Sequence, residues 1–325
     1  MSESKNWSFP TNLQPSAEDM SCDLDQVLNS VVGLHAEIPE DAFTASFLGT
    51  ERSGSGVVIN EDGLILTIGY LVTEAKSIWL TANNGTVMQG HALAYDQPTG
   101  FGLIQPLGKL KLPMLNFASM DSTQVEDDVF VIAYGGRSHA LKAKVVGKRE
   151  FAGNWEYVLD EALFTAPAHP HWSGAAVVDE FGRLLGIGSL LVQEVQEEGK
   201  SLQGNMFVPV DILKPILNEL QKYGKTTVPS RPWLGVYVAE SDGHLVVSGV
   251  TDGGPAAKAG VKPGDVIVNV AGERPNGVAD VFRRYWSLGE AGVEVPLTLM
   301  RAGVRNDIVV RSGERGALLK KPLLH

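Results

Sequence analysis

The sequence is almost devoid of cysteine and short of basic residues. Cys22 is the one thiol in 325 residues, which excludes an intramolecular disulfide framework and any metal site built from several thiolates. The chain has 27 Lys and Arg residues against 38 Asp and Glu residues, a formal net charge of −11. Nucleic acid or an anionic membrane surface would repel such a chain unless a basic patch were segregated on it, and no such patch is evident.

Long apolar runs are missing as well. No stretch approaches the roughly 20 apolar residues that a membrane-spanning helix needs, so we expect no membrane span. Residues 1–10 show no basic start followed by an apolar core, the pattern of a secretory signal. Since a single cysteine also suits a reducing compartment, we expect a cytoplasmic protein, and a periplasmic one only if a leader has been removed.

The histidines and acidic residues also lack the spacing that is typical of metal ligands. Apart from a pair near residue 170, the histidines are scattered along the chain, and the acidic pairs fall in expected loops or at strand ends. A solvated surface explains such residues better than a metal site does. We therefore expect neither a metal nor a cofactor.

Short strand-like runs between turn signals are what the sequence does contain. Residues 56–60 (GVVIN), 63–67 (GLILT) and 77–82 (SIWLTA) are examples, and Asn83-Asn84-Gly85 is a strong hairpin signal. Many short strands at even spacing favour a mainly β fold, a sandwich or a barrel. At about 100–200 residues per domain, the length predicts two domains.

A periodic apolar segment and a polar segment mark the boundary between these domains. Leucine and isoleucine recur at helical spacing over residues 210–223, which predicts a helix that ends at Gly224. Residues 225–232 (KTTVPSRP) are polar, contain prolines and show no period, so they are the best candidate linker. Beyond them the pattern predicts strands, a short helix at 255–259 and a second helix at 278–288.

Three motifs in order resemble the HtrA/Deg serine proteases, in which a trypsin-type double β-barrel precedes a PDZ domain. These motifs are residues 54–67 (GSGVVINEDGLILT), 173–187 (SGAAVVDEFGRLLGI) and 206–214 (MFVPVDILK). The resemblance implies two six-stranded barrels and a small α+β PDZ domain. The predicted organisation is an N-terminal arm (1–28), a protease-fold domain (29–224), a linker (225–231), a PDZ domain (232–315) and a tail (316–325).

The catalytic residues that the resemblance implies are altered in this chain. Where the family has its histidine in a Thr-Asn-x-His-Val-Val segment, this chain reads TIGYLV, which places Tyr70 at the histidine position. A phenol with a reference pKa of about 10 is a poor general base at neutral pH. Where the family has its aspartate, this chain has Gly100, which has no side chain; Asp96 would need a register shift to replace it.

The serine is retained in an altered setting. Ser173 occupies the nucleophile position, but His171 stands where the family has the glycine whose N–H helps form the oxyanion hole. Glycine often permits the backbone conformation that turns this N–H into the hole. With two of three triad members missing and the hole in doubt, the sequence predicts a pseudoprotease. The alternative is a serine endopeptidase in which His169 or His171 supplies a relocated base for Ser173.

The second domain is the expected binding module. Residues 231–236 (RPWLGV), 253–260 (GGPAAKAG) and 261–267 (VKPGDVI) match HtrA-type PDZ domains, whose Leu-Gly turn presents N–H groups to a peptide's terminal carboxylate. A peptide would add to a free strand edge and place one side chain in an apolar pocket. The predicted contact residues are Trp233, Leu234, Gly235, Val236, Val278 and Phe282. For Phe282, packing in the domain core is an equally good interpretation.

The predicted function is therefore that of an inactive HtrA-like protein that binds peptide or protein C-termini through its PDZ domain. It would act as a scaffold, an adaptor or a holding chaperone. A third interpretation is a fixed subunit of a larger complex. The resemblance also implies a homotrimer, with Trp7 and Phe9 as candidate contacts of the arm.

Overall fold

The computed structural model describes residues 7–195 and 201–320, which form two compact units. The first unit comprises Met1–Arg149, Glu161–Thr226 and Lys320–His325, and the second comprises Glu150–Asp160 and Thr227–Leu319. The ends of the predicted arm and tail lie outside the described residues. The predicted domain limits remain predictions. The structure adds that residues 150–160, expected in the first domain, cluster with the second unit.

Two closed six-stranded barrels make up the first unit, so the predicted fold class is confirmed. The first barrel has the strand order β1-β2-β3-β6-β5-β4 and the second the order β10-β11-β12-β9-β8-β7. The strands are β1 Val31–Glu37, β2 Glu51–Val58, β3 Ile65–Ile68, β4 Ser77–Thr81, β5 Val87–Tyr95, β6 Phe101–Pro106, β7 Asp128–Ile132, β8 Ala140–Gly153, β9 Tyr157–Ala166, β10 Ala176–Val178, β11 Leu184–Val195 and β12 Ser201–Pro209.

The Asn-Gly turn forms the hairpin that its sequence predicts. Gly85 has a φ of +85°, which L-residues with a Cβ rarely adopt. The N–H of Ala82 donates to the carbonyl of Thr86 at 2.9 Å and closes the turn between β4 and β5. In β4, Ile78 and Leu80 are buried while Trp79 between them is exposed, the alternation expected of a strand with one face on the core.

Helices of the first unit are short. They are α1 Leu24–Asn29, α2 Ala45–Leu48 and α3 Leu217–Tyr223, with 3-10 turns at Thr11–Leu13, Ala17–Asp19, Gly69–Leu71, Met120–Ser122, Arg137–His139 and Val210–Ile212. The prediction of one continuous helix over 210–223 is wrong, because the segment forms a 3-10 turn at Val210–Ile212 and a separate helix, α3. Pro215 lies between them; it has no N–H to donate and disfavours a helical conformation at the preceding residue. The helix does end as predicted at Gly224, which adopts the left-handed C-cap conformation.

A five-stranded antiparallel sheet and two helices form the second unit. The strands are β13 Val236–Ser241, β14 His244–Val250, β15 Val266–Val270, β16 Glu294–Arg301 and β17 Val304–Arg311, and the helices are α4 Pro255–Ala259 and α5 Val278–Trp286, followed by a 3-10 turn at Arg315–Leu318. The sheet order β13-β14-β15-β16-β17 makes β13 an edge strand. The helix predicted at 255–259 has the predicted bounds, and the second helix ends two residues before its predicted end.

Candidate active site and carboxylate loop

Ser173 lies on a tight turn that precedes β10. The N–H of Ser55, in β2, donates to the carbonyl of Ser173 at 2.8 Å, and the N–H of Gly174 donates to the carbonyl of Gly188 at 2.9 Å. Gly174 has a φ of +72°, and a Cβ built on it would lie 2.0 Å from the carbonyl oxygen of Ser55. The two barrels therefore hold the serine turn between β2 and β11.

Tyr70 fills the position that faces the Ser173 hydroxyl. Its phenol oxygen lies 2.8 Å from Ser173 Oγ and donates to the carbonyl of Ser189 at 2.9 Å. Because the single phenol proton goes to that carbonyl, Ser173 is the donor between the two hydroxyls. Burial raises the pKa of Tyr70 to about 12, so the phenol stays protonated at neutral pH and accepts a hydrogen bond without removing the proton.

Gly100, at the predicted aspartate position, has no side chain and so offers no carboxylate to Tyr70. Its φ is +81°, and its carbonyl accepts the N–H of Gly69 at 2.7 Å, so it serves as a turn. The carboxylate of Asp96 accepts the N–H of Thr99 at 3.0 Å and its hydroxyl at 2.7 Å. Asp96 thus stabilises the turn before β6.

The backbone N–H of His171 donates a hydrogen bond to a neighbouring side chain. It donates to Nδ1 of His169 at 3.0 Å, while Nε2 of His169 lies 2.9 Å from the carbonyl of His139. Since Nδ1 accepts, the hydrogen of the neutral ring is on Nε2 and is donated to that carbonyl. The N–H at the predicted oxyanion-hole position is therefore satisfied within the loop, and neither ring nitrogen of His169 is free to act as a base for Ser173.

A fully buried neutral imidazole is the centre of this loop. His169 has 0% of its surface exposed, and its backbone N–H donates to the side-chain oxygen of Asn205 at 2.6 Å. Burial lowers the pKa of His169 to about 4. Trp7 lies against His171 with ring centroids 5.1 Å apart, and Phe9 lies 5.0 Å from His169. The two arm aromatics thus pack on histidines of their own chain.

The depressed pKa of His169 predicts a loss of stability in acid. A folded-state pKa of about 4 against an unfolded value of about 6.5 means that only the unfolded chain gains this proton between those pH values, so the free energy of unfolding falls by about 3 kcal/mol as the pH drops through that range. In His169→Asn this contribution disappears. Urea unfolding at pH 7 and pH 4 should show a pH dependence about 3 kcal/mol smaller for the variant.

Gln89→Asn, a change at an exposed residue that removes no titratable group, serves as the control. It should leave the pH dependence as in the wild type. Equal pH dependence of wild type and His169→Asn would contradict the assignment of a buried neutral imidazole.

The loop 234–236 of the second unit, here called the carboxylate loop, presents three successive N–H groups to one point. Gly235 has a φ of +76°, which lets neighbouring N–H groups converge into a nest. Oε2 of Glu156 accepts the N–H of Leu234 at 3.0 Å, and Oε1 accepts those of Gly235 at 2.6 Å and Val236 at 3.0 Å. The hydroxyl of Tyr285 also donates to Oε2.

Glu156 is the site residue that sequence reasoning missed. Its side chain is 2% exposed; burial raises its pKa, and the hydrogen bonds from Tyr285 and the three N–H groups oppose that shift. Nothing in the sequence marks it, because the partner loop is about 80 residues away along the chain. The contact belongs to the second unit, which includes the hairpin residues 150–160.

The other predicted peptide contacts are partly core residues. Trp233 and Leu234 are buried, and the ring of Phe282 is 0% exposed in the apolar core of the second unit. Val278 is partly buried and packs on that core. Of the two interpretations of Phe282 that the sequence left open, the geometry favours the core.

Two negative findings concern the described part of the chain. Among residues 7–195 and 201–320, no group of three or more His, Cys, Asp or Glu side chains is arranged to hold a metal ion. In the same residues, no helix is long and apolar enough to cross a membrane.

Models of two known protein families match this chain, one in each predicted domain. A model described as a trypsin-like peptidase domain matches residues 54–187, and one described as a PDZ domain matches residues 232–311. A probable periplasmic serine endoprotease DegP-like from Pseudomonas putida (strain W619) is 28% identical over 278 residues, which cover 80% of this chain and 55% of that protein. The chain spans about half the length of this relative.

A relative of more similar length comes from Lactobacillus helveticus. Its serine protease Do-like HtrA is 27% identical over 329 residues, covering 90% of this chain and 76% of that protein. Among solved structures, an HtrA-type protease AlgW with decapeptide has a TM-score of 0.51 at 20% identity and covers 92% of this chain and 99% of its own. A serine endoprotease from Yersinia pestis has a TM-score of 0.52 at 21% identity, covering 90% and 98%.

The expected cytoplasmic location is wrong. Relatives from Pseudomonas putida and Rhizobium meliloti are named periplasmic, which contradicts it. The expectation leaned on the single cysteine, but one thiol forms no intramolecular disulfide in either compartment and so does not separate them.

The family follows from the fold and the relatives together. Two closed barrels carry the serine turn, and a small α+β unit carries the carboxylate loop. With its trypsin-like peptidase domain and its single PDZ domain, the chain belongs to the HtrA-type family.

Proposed function

We propose that this protein is a catalytically inactive HtrA-type protein that binds peptide or protein C-termini through its PDZ domain, as a scaffold, an adaptor or a holding chaperone. The observation that carries the proposal is the phenol of Tyr70, 2.8 Å from Ser173 Oγ. Hydrolysis by this route needs a group that removes the serine proton, and Tyr70 stands where that group belongs. A phenol whose pKa is about 12 does not remove it at neutral pH.

The oxyanion side of the site supports the same proposal. Stabilising a tetrahedral intermediate needs N–H groups aimed at the developing oxyanion, and losing one such donor costs about 10²–10³ in rate. The N–H of His171 donates to Nδ1 of His169 instead. Base and oxyanion donor are therefore both compromised, each by a different hydrogen bond.

The rival function is a serine endopeptidase. It is favoured by the names of the relatives, which are serine endoproteases, and by the retention of Ser173. A relocated base would have to come from a neighbouring histidine. His169 has both ring nitrogens engaged, which leaves His171, whose side chain is exposed and lies against Trp7.

Casein cleavage separates the two functions. We expect the purified protein and its Ser173→Ala variant to release fragments at the same background rate at pH 7.5, because no group activates the serine. The assay follows fluorescein-labelled casein with trypsin as the positive control. Cleavage by the wild type that is lost in Ser173→Ala would overturn the proposal.

Binding is the remaining part of the function. The AlgW structures are named as complexes with a decapeptide or a tripeptide, and the carboxylate loop of this chain has three N–H groups that converge on one carboxylate. A homotrimer and a fixed place in a larger complex stay predictions. The names of the relatives favour a periplasmic location for this chain as well.

A further inference from the structure

The carboxylate loop already holds a carboxylate, and it belongs to this chain. All three of its N–H groups donate to Glu156 at 2.6–3.0 Å. These are the donors that would fix the terminal carboxylate of a bound peptide. A carboxylate has about four lone-pair sites, and here the Tyr285 hydroxyl supplies a fourth donor.

The backbone two residues before Glu156 also makes a contact that a bound peptide would make. The N–H of Val238, in β13, donates to the carbonyl of Asn154 at 3.0 Å. β13 is the edge strand of its sheet, the element to which a peptide would add by main-chain pairing. Residues 154–156 thus pair with the edge strand at one end and place a carboxylate in the loop at the other.

Further contacts fix the hairpin 150–160 on the second unit. Val158 is buried in the apolar core of that unit. The guanidinium of Arg283, on α5, pairs with Glu150 and with Asp160, one on each strand of the hairpin. Apolar burial, two ion pairs and the loop hydrogen bonds therefore act on the same eleven residues.

Glu156 is the last residue of the three-residue turn 154–156 that joins β8 to β9. Its φ is +62°, the left-handed conformation that a three-residue hairpin loop places at this position. The hairpin turn therefore places the Glu156 side chain at the tip that faces the carboxylate loop.

We infer that residues 154–156 are an internal ligand of the PDZ unit: the Glu156 side chain stands in for a peptide's terminal carboxylate and closes the groove to free C-termini until the hairpin leaves. The inference rests on the proposed peptide binding and adds its regulation. The competing ligand is any peptide with a free terminal carboxylate. Its apparent dissociation constant equals the intrinsic one divided by the fraction of molecules whose groove is open.

The test compares the full-length wild type with Glu156→Ala, Glu156→Gln and Glu161→Ala. Glu161 is exposed, lies on β9 and provides the matched removal of a carboxylate. Two quantities are measured: hydrogen exchange of the amides at 234–238, and binding of a pool of decapeptides with randomised sequence and a free terminal valine. The same pool with an amidated end controls for the carboxylate.

We expect amide exchange to accelerate and the free-carboxylate pool to bind about tenfold tighter or more in both Glu156 variants, with no change in Glu161→Ala or with the amidated pool. Accelerated exchange without binding by any variant would support the internal ligand and count against the proposed peptide binding. Wild-type amides that exchange as fast as those of the variants, or equal affinity of wild type and Glu156 variants, would overturn the inference.

Discussion

Replacing Gly174 by alanine should lower the free energy of unfolding of the first unit by about 2–5 kcal/mol. An L-residue at positive φ costs roughly 1–2 kcal/mol, and forcing an extra carbon into a packed site adds about 1–3 kcal/mol. Both apply here, since φ is +72° and the new Cβ would lie 2.0 Å from the Ser55 carbonyl oxygen and 2.6 Å from Thr67 Oγ1. Both contacts are rigid parts of the first barrel.

Gly85→Ala is the matched control for this prediction. Gly85 has a φ of +85° and no atom within 4 Å of its added Cβ, so only the conformational cost of about 1–2 kcal/mol applies. Urea unfolding followed by tryptophan fluorescence measures both variants. If Gly174→Ala is no less stable than Gly85→Ala, the serine turn is not confined as described.

Truncating Phe282 to alanine should lower the local free energy of unfolding of the second unit by about 3–5 kcal/mol. The ring is 0% exposed and packs with Tyr285 and Trp286, so its removal leaves a cavity as well as the lost apolar burial. Hydrogen exchange of amides in β15 and β16 of the full-length protein reports this quantity.

Val278→Ala tests whether the effect is specific to the core. Val278 is only partly buried, so the same measurement should give about 1 kcal/mol. A Phe282→Ala variant with unchanged exchange would restore the interpretation of this ring as a surface contact for peptides.

Local patterns predicted the elements whose causes are local. The turn at Asn83-Asn84-Gly85 and the helix Pro255–Ala259 depend on residues a few positions apart, and both are present. The break at Pro215 was equally local, and apolar periodicity over 210–223 masked it. The two barrels were predicted only through the family resemblance, because the spacing of the short strands left a sandwich and a barrel equally open.

The decisive contacts of the site are ones that local sequence patterns do not reveal. Tyr70 and Ser173 are 103 residues apart, and a sequence places them together only through the family resemblance. The capture of Glu156 by the carboxylate loop and the hydrogen bond between His171 and His169 have no composition or spacing signal. Each depends on how a loop folds once its neighbours are packed.

Direct labelling of Ser173 tests the central claim, that this serine is not an activated nucleophile. The protein is incubated at pH 7.5 with a fluorophosphonate probe, with trypsin in a parallel sample, and adducts are mapped by mass spectrometry. We predict complete labelling of trypsin and no adduct on Ser173, because its hydroxyl donates to a phenol of pKa about 12. An adduct on Ser173 that is absent from the Ser173→Ala variant would contradict the account.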